Sequence, residues 1–384
     1  MKNLIMYFNE LEDSRDPRGL RHELTNIIVM TIYGILCGYD DAESIAFFLK
    51  LKQDYFQTLL SLEYGTPSAD TLLRVFALIN PENFMKIFSQ WISDVVKQKS
   101  ENSSNNFMKV VPIDGKAIKS ATDKINGGNI PYVVSAFLSD LGISIGQVKV
   151  DSKSNEITAI PELLDLIDIS NCMITIDAIG CQKNILDKIV EKEGHYCVAV
   201  KTNQSTLYTE IDEYFNFALE NKIERKNLLM AKQFDKGHGR IERREAYLCS
   251  DVSFISNKSK WKNLAMLGMT RNFREINGNL SIQDKYYILD TKISAQEFLE
   301  ITRKHWSIEN NLHWILDVHF REDFSKAKQG HAIHNLSLLR KICYNLVKLD
   351  HSFGNISFKK KLIMYNHDLN NLKNLIFNVI PSFD

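Results

Sequence analysis

Val110-Val111-Pro112-Ile113-Asp114-Gly115 and Met173-Ile174-Thr175-Ile176-Asp177-Ala178 decide how this chain of 384 residues is read. Each is an apolar run that ends in a carboxylate followed by a small residue. Short runs of this kind, bounded by turn formers, are buried strands. Side chains at the carboxyl ends of strands in α/β sheets project into the crevice where ligands bind. An aspartate at such a buried edge is costly unless a metal ion or a basic side chain meets it. Taken singly, either aspartate reads equally well as a cap of the next turn.

Working outward, Lys109 to Asp114, Tyr132 to Leu138 and Ile143 to Val150 read as strands, with turns at Gly127-Gly128 and Asp140-Leu141-Gly142. A helical pattern from Ile157 to Ile167 precedes the strand Met173 to Asp177. A second helix, Lys183 to Glu193, leads to the strand His195 to Val200. Three hairpin-linked strands followed by alternating helices and strands predict a mixed α/β sheet with helices on its faces. From about 223 to 290 the rhythm breaks into strand-like pieces (Arg240 to Leu248, Leu264 to Phe273, Tyr286 to Leu289), read as a β-rich insertion. A long helix then opens at Ser294, which forms a capping box with Glu297. Phe298, Ile301, His305, Ile308, Leu312 and Ile315 recur at helical spacing to about Leu316.

Before the first strand the pattern is helical: Ile27 to Cys37, Asp41 to Leu51, and Ser68 to Ile79. The last is bracketed by Pro67 and Asn80-Pro81, with Ser68 as N-cap. Leu72, Val75, Phe76 and Ile79 form its apolar stripe, leaving Asp70, Thr71 and Arg74 outward. The polar run 97–106 cannot bury a face and reads as a linker. The chain therefore divides into a small helical N-terminal domain (1–96), the linker, a mixed α/β domain (107–345) and a C-terminal helical tail (346–384).

Forty-seven Lys and Arg balance forty-seven Asp and Glu, so net charge argues neither for nucleic acid nor for a membrane surface. The longest nearly unbroken apolar run, Ile27 to Tyr39, is shorter than the ~18 residues a membrane span needs. The first residues carry no signal-peptide pattern. Six scattered cysteines form no C-x-x-C pair and suggest neither a zinc ribbon nor a disulfide framework. A cytoplasmic protein is expected, with no membrane and no small-molecule cofactor.

His305, Glu309 and His313 stand four apart and share one face of the last helix. A His/Glu/His zinc site is one reading, although the H-E-x-x-H arrangement is absent. A packing face accounts for Trp306 and Trp314 better than for Glu309. Three carboxylates from two strand ends and a helix suit two divalent, oxygen-seeking cations such as Mg²⁺, which can drive phosphodiester displacement.

These residues belong to a wider set. Asp13 to Arg18, Ile113-Asp114-Gly115-Lys116, Gly146-Gln147-Val148-Lys149-Val150, Lys153 to Pro161, Thr175 to Gln182, Lys236 to Glu242 and His305 to Phe320 occur in that order. In this ordered set, over nearly its whole length, the chain resembles the DDE transposases of bacterial insertion sequences, most closely their H-repeat-associated branch. The resemblance implies an RNase H-like mixed sheet with a β insertion before the last catalytic helix. It implies Asp114, Asp177 and Glu309 as catalytic and metal-binding residues, with two Mg²⁺ ions and Mn²⁺ as substitute. The implied activity is binding of the element's own ends, hydrolysis there, and joining of the freed 3′ ends to target DNA. Double-stranded DNA would be the partner of a homo-oligomer, associated with the bacterial nucleoid. In the broader group a Tyr, Arg, Glu, Lys signature surrounds the last carboxylate. Here the Tyr, Arg and Lys positions hold Thr302, His305 and Leu316, and whether His305 holds phosphate in the arginine's place is left open. A non-catalytic, transposase-derived DNA-binding protein and a metal-dependent nuclease without strand transfer remain open.

Candidate DNA contacts are spread out. Lys116 and Lys119 follow the first aspartate, and Lys201 follows the strand ending at Val200. His238 and Arg240 sit in the Gly237-His238-Gly239-Arg240 turn of the insertion. Arg15 and Arg18 are interleaved with Asp13 and Asp16, so a solvated loop is an equal reading. Arg74 is the one arginine of the Ser68–Ile79 helix, as readily a packing helix as a recognition helix. Lys359-Lys360-Lys361 reads as a backbone contact or as a solvated helix face.

Overall fold

Six helices precede the first strand in the computed structural model, which describes residues 3–100, 108–119, 130–150, 156–221, 224–237 and 240–378. They are α1 (Leu4–Phe8), α2 (Leu24–Leu36), α3 (Ala42–Leu51), α4 (Gln53–Leu60), α5 (Ala69–Leu78) and α6 (Pro81–Ser100). Caps set their starts. Asp41 and Ser44 form a reciprocal capping box at α3, and Ser68 accepts from the Thr71 amide at α5. α6 continues to Ser100, so the first four residues of the expected linker are helical, while 101–106 lie outside the described residues.

Nine strands form one mixed sheet in the order β3-β2-β1-β4-β5-β9-β8-β7-β6. These are β1 (Lys109–Ala117), β2 (Tyr132–Leu138), β3 (Ile143–Val150), β4 (Cys172–Ile176), β5 (His195–Val200), β6 (Leu229–Gly237), β7 (Arg240–Cys249), β8 (Met266–Ile276) and β9 (Asn279–Leu289). β1 runs parallel to β4 and β4 to β5, while the other pairs are antiparallel. The region expected as a separate β insertion is thus edge-joined to the sheet through β5 and β9. Asn277 and Gly278, both with positive φ (50° and 78°), turn β8 into β9 as a two-residue hairpin loop. Gly127-Gly128, expected as a turn, lies outside the described residues.

Strand alternation separates two cores. Val110, Met173, Cys197, Leu248 and Leu289 pack under α10 (Ala295–His305), together with its Phe298, Leu299 and Ile301. Val111, Ile113, Ile174, Ile176 and Val198 face the other layer. That layer holds α7 (Glu156–Leu166), which packs on β2 and β3, and α8 (Lys183–Glu191), which packs on β5. α9 (Ser205–Glu220) lies against β9.

The helix expected to run unbroken from Ser294 to Leu316 is three pieces. α10 ends at His305, a π-helical segment spans Ile308–His313, and α11 covers Trp314–Val318. The break falls at Ser307, whose hydroxyl bonds back to the Lys304 carbonyl (2.6 Å) and meets the Ser139 hydroxyl (2.8 Å). Side-chain insertion into the helical ladder is a known cause of such departures, and π turns concentrate at functional sites.

α12 (Ala332–Leu349), α13 (Phe358–His367) and α14 (Leu369–Phe377) complete the chain. This end is not a detached tail. α12 packs on β3, α2 and α5, and α14 on α1. The Tyr55 hydroxyl meets the Leu369 carbonyl at 3.1 Å. Lys361 is buried and donates to the Val347 carbonyl at 3.0 Å, so only Lys359 and Lys360 of the basic triplet face solvent. Among the described residues no helix is long and apolar enough to cross a membrane. All six cysteines are buried and free.

Candidate active site

Register and alternation bring the two aspartates together. Ile113 of β1 pairs with Ile176 of β4, so Asp114 and Asp177 leave neighbouring parallel strands at the same level. Asp114 shares the parity of Val110, and Asp177 that of Met173, which places both on the α10 side of the sheet. Glu309 projects from the π-helical segment above them, which contacts β1 and β2.

Two of the three carboxylates, Asp114 and Glu309, are shifted by their neighbours' charge. Burial, then repulsion from Glu309, Glu156 and Asp177, raises Asp114 to about 7, against a weaker opposing hydrogen bond from the Gly115 amide. Glu309 is raised by burial and by Asp177, with Lys285 opposing. Negative charge is therefore stacked without a matching cation, the condition under which a carboxylate holds its proton. Oxygen-only donors with surplus negative charge fit a hard divalent cation, which would reverse that preference. Among the described residues no three His, Cys, Asp or Glu side chains are grouped closely enough to hold an ion as they stand.

The two histidines of this helix are neutral. His305 Nδ1 lies 3.0 Å from the Thr175 hydroxyl, and burial lowers its pKa to about 4. As it stands, His305 is a neutral imidazole held by Thr175 rather than a charged phosphate ligand. His313 Nδ1 lies 3.5 Å from Asp114 Oδ2; burial, with Lys341 and Lys116, lowers it to about 3. Its buried Nε2 takes no hydrogen-bond partner among the described residues.

A cation that sequence reasoning missed stands here instead. Val200 pairs with Tyr286 across β5 and β9, which sets Lys285 beside Lys201 at the same sheet edge. Burial and Lys201 lower the pKa of Lys285, while Glu309 raises it. Its ammonium lies 4.5 Å from the ring centroid of the half-exposed Trp306. Lys285 also lines a polar cleft of about 610 Å³ with Arg244, Arg274, Arg303, Gln283 and Asn310.

The other candidate contacts separate into paired and free. Lys116 is a correction: its side chain is only 10% exposed and pairs with Asp317 (2.6 Å), Glu322 (2.9 Å) and Asp323 (3.4 Å). Three carboxylates already neutralise it, so no phosphate is needed there. Lys119 is exposed, 3.6 Å from Asp323. Arg15 is 12% exposed, paired with Asp13 and bonded to the His22 carbonyl at 2.9 Å, which makes it a loop brace. Arg18 pairs with Asp16 while remaining 90% exposed. Arg74 is exposed on α5, whose other faces pack on α2, α3 and α12. His238 lies outside the described residues, and Arg240 begins β7 opposite Gly237.

Two family models match the chain. Residues 105–346 match the family described as Transposase DDE domain, and residues 5–92 the family described as DDE_Tnp_1-associated. The chain is 35% identical over 359 residues to "Putative protein YbfL" of Escherichia coli K12, covering 92% of both. It is 34% identical to "H repeat-associated putative transposase YhhI" of the same strain, again over 92% of both chains. To "Putative transposase YncI" of E. coli O157:H7 it is 33% identical, over 95% of this chain and 93% of that one.

Proposed function

Since the chain belongs to the transposase DDE-domain family, we propose that it cuts DNA at the ends of its own insertion sequence and joins the freed 3′ ends to target DNA. What supports this reading is the register that sets Asp114 and Asp177 at one level on neighbouring parallel strands, with Glu309 on the π-helical segment near enough for its charge to raise Asp114. The β1-to-α11 core reads as RNase H-like, with α1 to α6 as a helical end-binding domain.

Asp114, Asp177 and Glu309 would hold two Mg²⁺ ions, with Mn²⁺ as substitute, which when bound activate the attacking oxygen and stabilise the leaving one. Water attacks the phosphodiester at the element end, and the 3′ oxygen leaves as a hydroxyl. That hydroxyl then attacks a phosphodiester of target DNA, whose own 3′ oxygen leaves. Lys201 and Lys285 stand at the sheet edge where the scissile strand would carry its phosphates, and Lys119 offers a third contact. A homo-oligomer would be needed to pair two element ends.

The test is cleavage and strand transfer on a labelled end fragment with Mg²⁺, with Mn²⁺ and with chelator. Metal-dependent nicks accompanied by covalently joined products are expected. Nicks without joined products would indicate a nuclease, and binding without chemistry in either metal a non-catalytic DNA-binding protein.

A further inference from the structure

Ser139 and Asp140, the two residues after β2, grip a strand and a helix at once. On the strand side, the Ser139 amide donates to the Val110 carbonyl (3.0 Å), and Asp140 Oδ2 accepts from the Val110 amide (3.0 Å). Both backbone groups of Val110 are thereby held near the start of β1, the strand that carries Asp114. On the helix side, Asp140 Oδ1 pairs with the Lys304 ammonium. The Lys304 carbonyl accepts from the Ser307 hydroxyl at 2.6 Å. The Ser139 hydroxyl reaches the same pair, 2.8 Å from Ser307 Oγ and 3.3 Å from that carbonyl. With one proton on each hydroxyl, Ser307 donates to the carbonyl and Ser139 donates to Ser307.

This grip falls where α10 gives way to the π-helical segment, just before Glu309. At the far end of that segment His313 Nδ1 stands 3.5 Å from Asp114 Oδ2. Glu309 is therefore carried between two attachments to β1, through Ser139 at Val110 and through His313 at Asp114. In a regular α-helix, residues four apart overshoot a full turn by about 40°. The wider π turn brings Glu309 and His313 closer to one line above the strand. Departures of this kind follow from side chains that intrude on the helical ladder, and Ser139 and Ser307 are the intruders here. Among the described residues neither serine bonds to Asp114, Asp177 or Glu309, so any effect on the chemistry has to pass through the placing of Glu309.

We propose that Ser139, with Asp140 beside it, is a positioning residue that acts through Ser307 and Lys304 to set the π turn and fix Glu309 over the strand that carries Asp114. The inference rests on the reading of Glu309 as a catalytic carboxylate and adds the device that places it. The test takes S139A, S307A, the double variant and S139T of the full chain through three measurements. These are amide hydrogen exchange over residues 305–313, affinity for a labelled end fragment, and the rate of Mg²⁺-dependent cleavage at saturating fragment. S139A and S307A are expected to speed exchange across the π segment and to slow cleavage about tenfold to a hundredfold, the scale of a misplacement of up to ~1 Å. End affinity stays at the wild-type value. The double variant is no slower than the worse single one, because both serines act on one carbonyl. S139T, which keeps the hydroxyl, restores the rate.

Wild-type exchange in both S139A and S307A overturns the bracket, whether or not the chain cuts DNA. Faster exchange with cleavage at the wild-type rate overturns the positioning role and leaves the reading of Glu309 standing. Equal losses of end affinity and cleavage would make the serines DNA contacts and overturn it likewise. A wild type that binds ends without cutting them fails the functional reading itself, and the positioning role with it.

Discussion

Asp114 and Lys116 stand two residues apart on one face of β1, and their surroundings are opposites. Asp114 faces Glu309, Asp177 and Glu156, and its pKa rises to about 7. Lys116 faces Asp317, Glu322 and Asp323 within 3.4 Å. Behind it Lys341, fully enclosed, donates to Gln147 (2.7 Å) and Ser337 (3.0 Å). There the buried Glu322 is lowered to about 2 despite its burial, because Lys341, Lys116 and Arg340 surround it. One cluster has matched its charges and is structure. The other has left them unmatched, and an unmatched buried charge is where a charged ligand belongs.

The comparison breaks most sharply at Asp114→Asn. Cleavage should be abolished while binding to element ends is retained, measured by nicking and by mobility shift on one labelled fragment. Cleavage at the wild-type rate would remove Asp114 from the chemistry. Next in size is Glu322→Ala, which takes from Lys116 one of its three carboxylates and from the enclosed Lys341 the charge that most favours it. Breaking a buried pair on one side costs about 3–5 kcal/mol, readable as a lowered midpoint in denaturant. The same substitution should leave Mn²⁺ affinity unchanged in the fraction that folds.

The two clusters also respond to pH with opposite sign. Asp114 has a folded pKa raised above its usual 3.8, so its contribution to stability is intact below that value and lost as pH rises through about 7. At 1.36 kcal/mol per unit, the ionised apo site costs at most ~4 kcal/mol. Glu322 has a folded pKa lowered from 4.5 to about 2, so its contribution is present above 4.5 and lost as pH falls through 2. Between pH 5 and 8 the Asp114 cluster changes, and in the other cluster only Lys341, lowered by burial to about 8, begins to titrate at the upper end. With chelator, Asp114→Asn should therefore be more stable than wild type at about pH 8, by a margin that shrinks towards about pH 5. Saturating Mn²⁺ should erase that margin. A pH-independent difference between the two proteins would contradict the assignment of surplus charge to this site.

How much of this was legible in the sequence follows from the range of the interactions. Strands such as Tyr132–Leu138 and His195–Val200 could be read because a short, nearly continuous apolar run bounded by turns is a local signal. β6 escaped because it is an edge strand whose side chains are mostly exposed, as in Leu229, Met230 and Phe234. The π-helical segment escaped because three- and four-residue spacing suits α and π turns alike, while its cause, Ser139 on Ser307, lies 168 residues away. Asp114 and Asp177 could be read because each ends its own apolar run. The neutralisation of Lys116 could not, since Glu322 lies 206 residues off in sequence.

The smallest effect concerns which cation meets DNA at the acidic edge. The helix position expected for an arginine holds His305, neutral and tied to Thr175 at 3.0 Å, whereas Lys285 on β9 is charged, borders Glu309 and rests on Trp306. A lysine on phosphate contributes a sequence-independent, salt-sensitive increment. Lys285→Ala should therefore weaken end binding and target binding alike and reduce the salt slope of binding by about 1, without changing Mn²⁺ affinity more than Glu309→Gln does. His305→Ala should leave that slope at its wild-type value and act instead through the Thr175 contact, as a modest loss of stability. If His305→Ala lowered the slope and Lys285→Ala did not, the imidazole would be the phosphate ligand after all, and it would have to gain a proton from the DNA's own field to serve as one.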